Sequence, residues 1–256
     1  MAREDIPGER SGCAASTQNT LRGRVSPDWK RYQSTLDAVE AEYAPDLGRA
    51  QTSISTAMLS MGAVLQDAVW HYGGQPITLV FVMRAEDARR WIGDYVADQL
   101  EIVGFQVDRR YMNRTEASAL WVQSDPAEGL WHIYTGGWIS SSIDRDSADE
   151  FSFFYTPNDY PIPLHAAYTP SAEFADIALR LRDGDYASMA ERELLFTRAL
   201  ELSMDDSGVG SVRVWLVDRT SFALWRANVT VVNDLAAGIN APMWPYVERI
   251  VDAEGG

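Results

Sequence analysis

The chain has 256 residues, of which 46% are apolar, with nine tryptophans, so it is long enough to bury a core and too apolar for a disordered polypeptide. A formal charge of −15 argues against nucleic acid or an anionic membrane surface as a partner, because both need a basic face. The single cysteine, Cys13, excludes an internal disulfide and a metal cluster built from cysteines.

Residues 1–28 are rich in Gly, Ser, Arg and Pro without periodicity, which predicts a flexible N-terminal segment. We place an α/β domain over 29–232 and a closing segment over 233–256. Residues 28–69 are predicted to be mostly helical, with an amphipathic stretch over Ile54–Trp70. Cys13 follows Ser11-Gly12 as in a bacterial lipobox, but the preceding MAREDIPGER is polar, so we expect no signal peptide here.

The segment from Gly74 to Trp138 predicts a continuous strand–helix–strand–helix–strand unit. Gln75–Met83 is an apolar, β-rich run after a Gly-Gly break, and Glu86–Val103 has apolar residues at helical spacing. Gly104 stands where that helix would end in a left-handed conformation, and a strand is predicted over Phe105–Arg110. A strand, a crossover helix and a second strand of these lengths predict a parallel pair with a right-handed connection.

The α/β pattern continues to the end of the predicted domain. A helix is expected from Thr115 to Gln123, a turn over residues 125–129 and a short strand over Leu130–Tyr134. Later elements are two helices and two strands, predicted over Glu173–Leu181, Tyr186–Met204, Val212–Val217 and Val229–Val232.

Several short segments of this sequence, in their order and spacing, resemble those of one protein family. GGQPITLVFVM, then QLEIVGFQV, then LWHIYTGGW are similar to the second-lobe segment of family 5 extracellular solute-binding proteins. These are the receptors of oligopeptide, dipeptide and nickel ABC importers. The resemblance covers roughly residues 43–239, and it rests on Gly74, Pro76, Ile77, Leu79, Gln99, Leu100, Val103, Gly104, Phe105, Val107, Gly137 and Trp138.

The resemblance implies an α/β fold with a mixed sheet flanked by helices, as in lobe two of a type II periplasmic-binding-protein fold. It implies a substrate-binding component of an ABC importer that closes two lobes around an oligopeptide or other small polar solute and delivers it to a permease. The full-length protein would be periplasmic or extracellular and anchored to the membrane. Family members are about twice as long, so we expect this chain to be a fragment that lacks the first lobe, with 233–256 as a truncated return segment.

Motifs for covalent or metal chemistry do not occur in the sequence. It has no phosphate-binding loop, no dinucleotide fingerprint, no H-E-x-x-H and no G-x-S-x-G. The three histidines, His71, His132 and His165, lack ligand spacing. We therefore predict a binding protein rather than an enzyme, without a cofactor or a metal.

The candidate ligand-binding residues are Tyr134, Trp138, Ser140, Ser141 and Asp144, at the end of the last predicted strand and in the loop that follows it. In peptide-binding members of the resembled family, an Asp three residues after the Trp holds the amino terminus of the peptide, and Ser141 has that position here. Either Asp144 takes that role after a loop shift, or the solute has no free amine. A third reading is that the carboxylates of this loop cap a helix that begins near Ser147.

Two other functions remain open. The chain could be a stand-alone, degenerate lobe that serves as a protein-interaction module. It could also be a small α/β hydrolase in which the acidic loop 144–150 supplies an acid–base pair, although a Ser- and Asp-rich loop is a poor scaffold for two carboxylates in different environments.

Overall fold

A computed structural model describes residues 15–16, 32–137, 150–159, 162–205, 207–209, 212–214, 216, 218–219, 229–231 and 247–249. The helices are α1 (Gln33–Glu42), α2 (Leu47–Ser60), α3 (Arg89–Ile102), α4 (Arg114–Trp121), α5 (Glu150–Tyr155), α6 (Ala172–Asp183) and α7 (Met189–Leu202). The strands are β1 (Ala15–Ser16), β2 (Val64–Gln66), β3 (Val69–Tyr72), β4 (Gln75–Pro76), β5 (Thr78–Arg84), β6 (Gln106–Met112), β7 (Ile133–Tyr134), β8 (Asp218–Arg219), β9 (Val229–Val231) and β10 (Val247–Arg249). The predicted α/β fold class is confirmed.

A three-stranded parallel sheet in the order β6-β5-β7 organises this part of the chain. β5 pairs with β6 along its whole length, from Thr78 opposite Gln106 to Arg84 opposite Met112. On its other side, β5 pairs in parallel with β7, and Val82 is opposite Tyr134. The predicted parallel pair joined by a crossover helix is confirmed. Antiparallel pairing occurs in separate small sheets among the described strands.

Helices cover both faces of the central strand β5. Phe81 and Met83 are buried against Val96 and Ala97 of α3. The intervening residue, Val82, points to the opposite face, where it is buried in a cluster with Ala117 of α4. This alternation follows from the two-residue period of a strand, and burial on both faces explains why the β5 sequence is almost entirely apolar.

A β-hairpin precedes the parallel sheet, where the amphipathic stretch Ile54–Trp70 predicted a helix. That prediction is wrong beyond Ser60, because Gly62 adopts a left-handed φ of 84° and ends α2. β2, β3 and β4 then form an antiparallel sheet. Trp70 of this hairpin is buried, and its indole N–H donates to the Val103 carbonyl at 3.0 Å, which holds the hairpin against the end of α3.

The predicted strand over Gln75–Met83 is divided between two sheets. Gln75–Pro76 closes the hairpin as β4, and the parallel strand begins at Thr78. The strand predicted over Leu130–Tyr134 is shorter, because only Ile133–Tyr134 pairs with β5. The strand predicted over Val212–Val217 is wrong for the residues described there, 212–214 and 216, which have no strand conformation.

A second core is made of helices α1, α5, α6 and α7. Its fully buried side chains include Leu36, Phe174 and Phe196, and Phe151 packs edge-on against Phe196 at 5.0 Å between ring centroids. The two helices predicted after residue 170 are confirmed as α6 and α7. The domain bounds 1–28, 29–232 and 233–256 remain predictions. In the described part of the chain, no helix has the length and hydropathy that a membrane span requires.

Replacing Gly104 by alanine is expected to destabilise the fold strongly. Gly104 has a φ of 99°, and a Cβ atom there would lie 2.8 Å from the Trp70 ring and 3.3 Å from the Ala68 carbonyl oxygen. Both strain and a steric clash therefore oppose the methyl group. We expect Gly104→Ala to lower the free energy of unfolding by about 2–4 kcal/mol, measured by urea denaturation.

Gly129→Ala is the matched control for this substitution. Gly129 also has a positive φ, 67°, but a Cβ atom there would have no neighbour within 4 Å in the described part of the chain. It should therefore show only the conformational penalty, about 1–2 kcal/mol. Equal losses in the two variants would contradict a close contact between the hairpin and the end of α3.

Candidate functional site

The carboxyl ends of β5, β6 and β7 meet at one edge of the parallel sheet. We call this the carboxyl edge and define it as residues 84–87, 113–114 and 134–137. The connection after β5 runs through α3 to β6, and the connection after β6 runs through α4 past β5 to β7. Because these connections leave in opposite directions, a topological switch point lies here, where open α/β sheets bind their ligands.

Arg84 is the last residue of β5 and is only 9% exposed. Its Nε donates to Glu86 Oε2 at 2.6 Å and its Nη2 donates to Glu86 Oε1 at 3.2 Å. Nη1 lies 3.5 Å from the Tyr134 hydroxyl oxygen. The hydrogen bond that Arg84 donates to Glu86 raises the pKa of Arg84, so the guanidinium stays charged at every physiological pH.

Glu86 connects the end of β5 to the beginning of α4. Besides accepting from Arg84, its Oε1 accepts from the backbone N–H of Arg114 at 2.6 Å. The Arg84 hydrogen bond, with a smaller contribution from this backbone N–H, lowers the pKa of Glu86. The next two N–H groups of α4, those of Thr115 and Glu116, donate to the Asn113 side chain. The first turn of α4 therefore has its donors satisfied.

Thr135 connects the segment after β7 to the last residue of β5. It is buried, and its hydroxyl oxygen accepts from the backbone N–H of Arg84 at 2.9 Å. A Cβ atom built on Gly93 of α3 would lie 3.1 Å from the Thr135 methyl carbon and 2.8 Å from Met83. The glycine therefore lets α3 approach the sheet closely beside the edge.

Tyr134 is the one predicted ligand-binding residue within the described part of the chain. It lies at the carboxyl edge, and its ring stacks on Trp121 of α4 with ring centroids 5.1 Å apart. Trp138, Ser140, Ser141 and Asp144 lie outside the described residues, so their roles and the alternative readings of Asp144 remain predictions.

Sequence reasoning did not identify Arg84, Glu86 and Thr135 as candidates. A weak indication existed, because Arg84 is the first charged residue after the apolar run of β5 and so marks where that strand reaches the end of the sheet. Its contacts with Tyr134 and Thr135 cross about fifty positions of sequence, and no local pattern reveals them.

A shallow cleft of about 500 Å³ lies at the other end of the sheet. Its lining includes Thr78 and Gln106, the first residues of β5 and β6, and none of the residues of the carboxyl edge. The polar groups around it are paired with each other, as in the 3.2 Å hydrogen bond from Thr78 to Gln106 and the ion pair between Arg109 and Glu101. We therefore place the candidate site at the carboxyl edge.

The described residues contain no group of three or more His, Cys, Asp or Glu side chains arranged to hold a metal ion. Each histidine lies within hydrogen-bond distance of another group of the chain, for His71 the Val69 carbonyl oxygen at 3.0 Å. The Nδ1 atom of His132 accepts from the backbone N–H of Val80 at 2.9 Å, and that of His165 lies 3.2 Å from the Tyr168 hydroxyl.

No protein-family model and no curated protein matches this sequence. Similar solved structures include NikA from Brucella suis in complex with Fe(III)-EDTA, with 17% identity over 70% of this chain and 32% of that one, at a TM-score of 0.49. A nickel ABC transporter protein from Bacillus halodurans has 15% identity over 63% of this chain and 31% of that one, at a TM-score of 0.45. The periplasmic binding protein MelB from Agrobacterium fabrum, in complex with stachyose, has 14% identity over 62% of this chain and 24% of that one, at a TM-score of 0.44. The chain thus spans between 24% and 32% of the length of these proteins.

Glu86→Gln should destabilise the protein at neutral pH and not at low pH. The amide oxygen can still accept from the Arg114 N–H, but the charged pair with Arg84 is lost. Because the folded state lowers the pKa of Glu86, the carboxylate stabilises the fold above its ordinary pKa of 4.5, and this contribution disappears as the pH falls through the lower, folded-state pKa. Urea denaturation of both proteins between pH 7 and pH 3 measures the difference.

Glu128→Gln is the control for this pH series, since Glu128 is an exposed residue of the turn before β7. Its free energy of unfolding should follow that of the unmodified chain at each pH. A difference between Glu86→Gln and the unmodified chain that stays constant down to pH 3 would contradict the role given to the Arg84 pair.

Proposed function

We propose that this chain is a solute-binding lobe of an ABC importer receptor and that it contacts its solute at the carboxyl edge. The observation that carries the proposal is the convergence of Arg84, Tyr134 and Thr135, from two parallel strands, at the switch point of the sheet and directly before Trp138. The role is recognition without covalent chemistry. Substrate sites of this kind combine a concave surface with a few converging polar groups.

The order of elements supports the proposal. The sequence segments that resemble the receptor family fall on β4 and β5, on the end of α3 with β6, and on β7 with its following glycines. Each of these sequence segments thus includes residues of one strand of the parallel sheet. The resembled family places the ligand beside the segment that follows β7, and the switch-point rule points to the same edge on independent grounds.

The glycines after β7 make backbone groups accessible at the edge. Gly136 and Gly137 are both exposed, and among the described residues a Cβ atom on Gly136 would have no neighbour closer than 3.9 Å. A solute with amide groups could approach this backbone closely and exchange hydrogen bonds with it. This favours a peptide or a similar small polar solute, with Trp138, Ser140, Ser141 and Asp144 as further contacts from the loop.

In this proposal the receptor works by closing two lobes around the solute, and this chain supplies mainly one of them. The other lobe, the permease and a membrane-anchored position outside the cytoplasm complete the proposed system. One wall of a cleft buries only part of a ligand, so we expect this chain alone to bind its solute weakly.

Filling the carboxyl edge should abolish solute binding. Gly136→Phe adds a ring where the described residues leave space and where φ lies outside the left-handed region, so we expect the variant to fold. Isothermal titration with a tripeptide, a disaccharide and a dicarboxylate should show binding of at least one solute to the unmodified chain. The affinity of Gly136→Phe for that solute should be reduced at least about tenfold, a change of about 1.4 kcal/mol.

Gly48→Phe adds the same ring to an exposed position of α2 and should bind as the unmodified chain does. Unchanged affinity in Gly136→Phe would place the site elsewhere. Failure of the unmodified chain to bind any of the three solutes at millimolar concentration would overturn the proposed function.

A further inference from the structure

We propose that the carboxyl edge recognises a carboxylate group of its solute through Arg84, and that Glu86 occupies the place of that carboxylate in the unliganded protein. This inference rests on the proposed function and names the chemical class of the solute. It assigns Arg84 as the anion-binding residue, and it makes Glu86 an internal competitor of the solute.

Arg84 has more hydrogen-bond donors than the described residues satisfy. A guanidinium has five N–H groups, and a nearly buried one needs partners for them. One N–H of Nε and one of Nη2 donate to Glu86. The Nη1 atom is 3.5 Å from the Tyr134 oxygen, beyond the usual range for an N–H···O bond. Among the described residues, Nη1 thus has only this long contact with Tyr134, and its second N–H is open to a stronger acceptor at the edge.

The place that Glu86 occupies has the geometry of a carboxylate site. The guanidinium presents a pair of N–H groups to its two oxygens, which is the arrangement that planar carboxylates fit best. A third donor, the backbone N–H of Arg114, comes from the beginning of α4. A carboxylate from solution would meet the same three donors, at a helix terminus that favours negative charge.

Glu86 is well placed to move away from this site. It is only two residues beyond Arg84, in the connection between β5 and α3, and its side chain is 41% exposed. A short displacement of its side chain would return the carboxylate to water. Because this carboxylate is not buried in an apolar core, its release requires no rearrangement of the sheet.

The charge at the edge favours an anion, although the chain as a whole carries −15. We count the charged residues described at the edge and in the first turns of α3 and α4. There are four arginines, Arg84, Arg89, Arg90 and Arg114, and three carboxylates, Glu86, Asp87 and Glu116. The three carboxylates already accept hydrogen bonds, Asp87 from Arg89 and Glu116 from the Asn113 N–H. The Arg114 side chain has no partner among the described residues. A cationic solute would have to compete with arginines for these carboxylates, whereas a carboxylate exchanges with Glu86 at the donors of Arg84 and also meets the Arg114 side chain.

The test measures succinate binding by isothermal titration at pH 7 and low ionic strength, with succinamide as the uncharged analogue. Glu86→Gln replaces the charged internal competitor with a neutral amide, which succinate displaces more easily, so succinate affinity should rise at least about tenfold. Arg84→Gln should abolish succinate binding. Since Arg84→Gln leaves Glu86 without its partner, Arg84→Lys provides a second variant that keeps the charge but not the paired donors, and it should bind at least about tenfold more weakly than the unmodified chain.

Asp108→Asn is the matched control. Asp108 forms an ion pair with Arg110 within β6, and its substitution changes the net charge by the same amount as Glu86→Gln does. It should leave succinate affinity unchanged. An equal gain in succinate affinity in Asp108→Asn and Glu86→Gln would overturn the inference, since the change in net charge would then explain both gains. Binding of a disaccharide or a tripeptide amide together with no succinate binding in any variant would also overturn it and leave the proposed function standing. Absence of binding by every solute to every variant would overturn both.

Discussion

Burial of β5 on both faces is the constraint on which the rest of the described structure depends. Its side chains alternate between the α3 face and the α4 face, so both helices and both neighbouring strands are positioned by this one strand. A slip of one residue in its register would exchange Val82 with Phe81 and Met83 and place large side chains against α4. The same register fixes where β5 stops, and therefore where Arg84 emerges at the carboxyl edge.

The Arg84–Glu86 pair combines a structural contribution with the proposed recognition role. As an ion pair it satisfies two of the five N–H groups of a nearly buried guanidinium, and through the Arg114 N–H it also completes the beginning of α4. Without Glu86, the charge of the Arg84 guanidinium would be largely desolvated and unpaired in the unliganded protein, which is energetically costly. An internal carboxylate removes that cost but competes with the solute, so stability of the empty lobe and affinity for an anion are opposed at this position.

Regular periodicity explains which elements could be predicted from sequence. β5, α3, β6 and α4 have apolar residues at the spacing of their element and clear glycine or polar boundaries, and all four are found near their predicted positions. The hairpin was missed because its turn uses Asp67-Ala68, both at positive φ, where Asn-Gly would have been recognised. Its first strand is wholly exposed and three residues long, so the helical pattern upstream dominated the interpretation.

The candidate site was less predictable than the fold, because its parts come together only in three dimensions. Tyr134 could be named from its place after an apolar run, but the role of Arg84 depends on contacts with residues far along the chain.

In the proposed arrangement, Glu86 occupies the place of the solute's carboxylate, and the donors of Arg84 and Arg114 surround its side chain. A cleft among the described residues lies at the amino ends of β5 and β6, where Thr78 and Gln106 bond to each other. Donor geometry and charge, more than cavity volume, therefore distinguish the two ends of the sheet. Among the described residues, an excess of arginine at the switch point of an acidic chain is the arrangement expected if the solute, and not a bulk surface potential, decides what binds there.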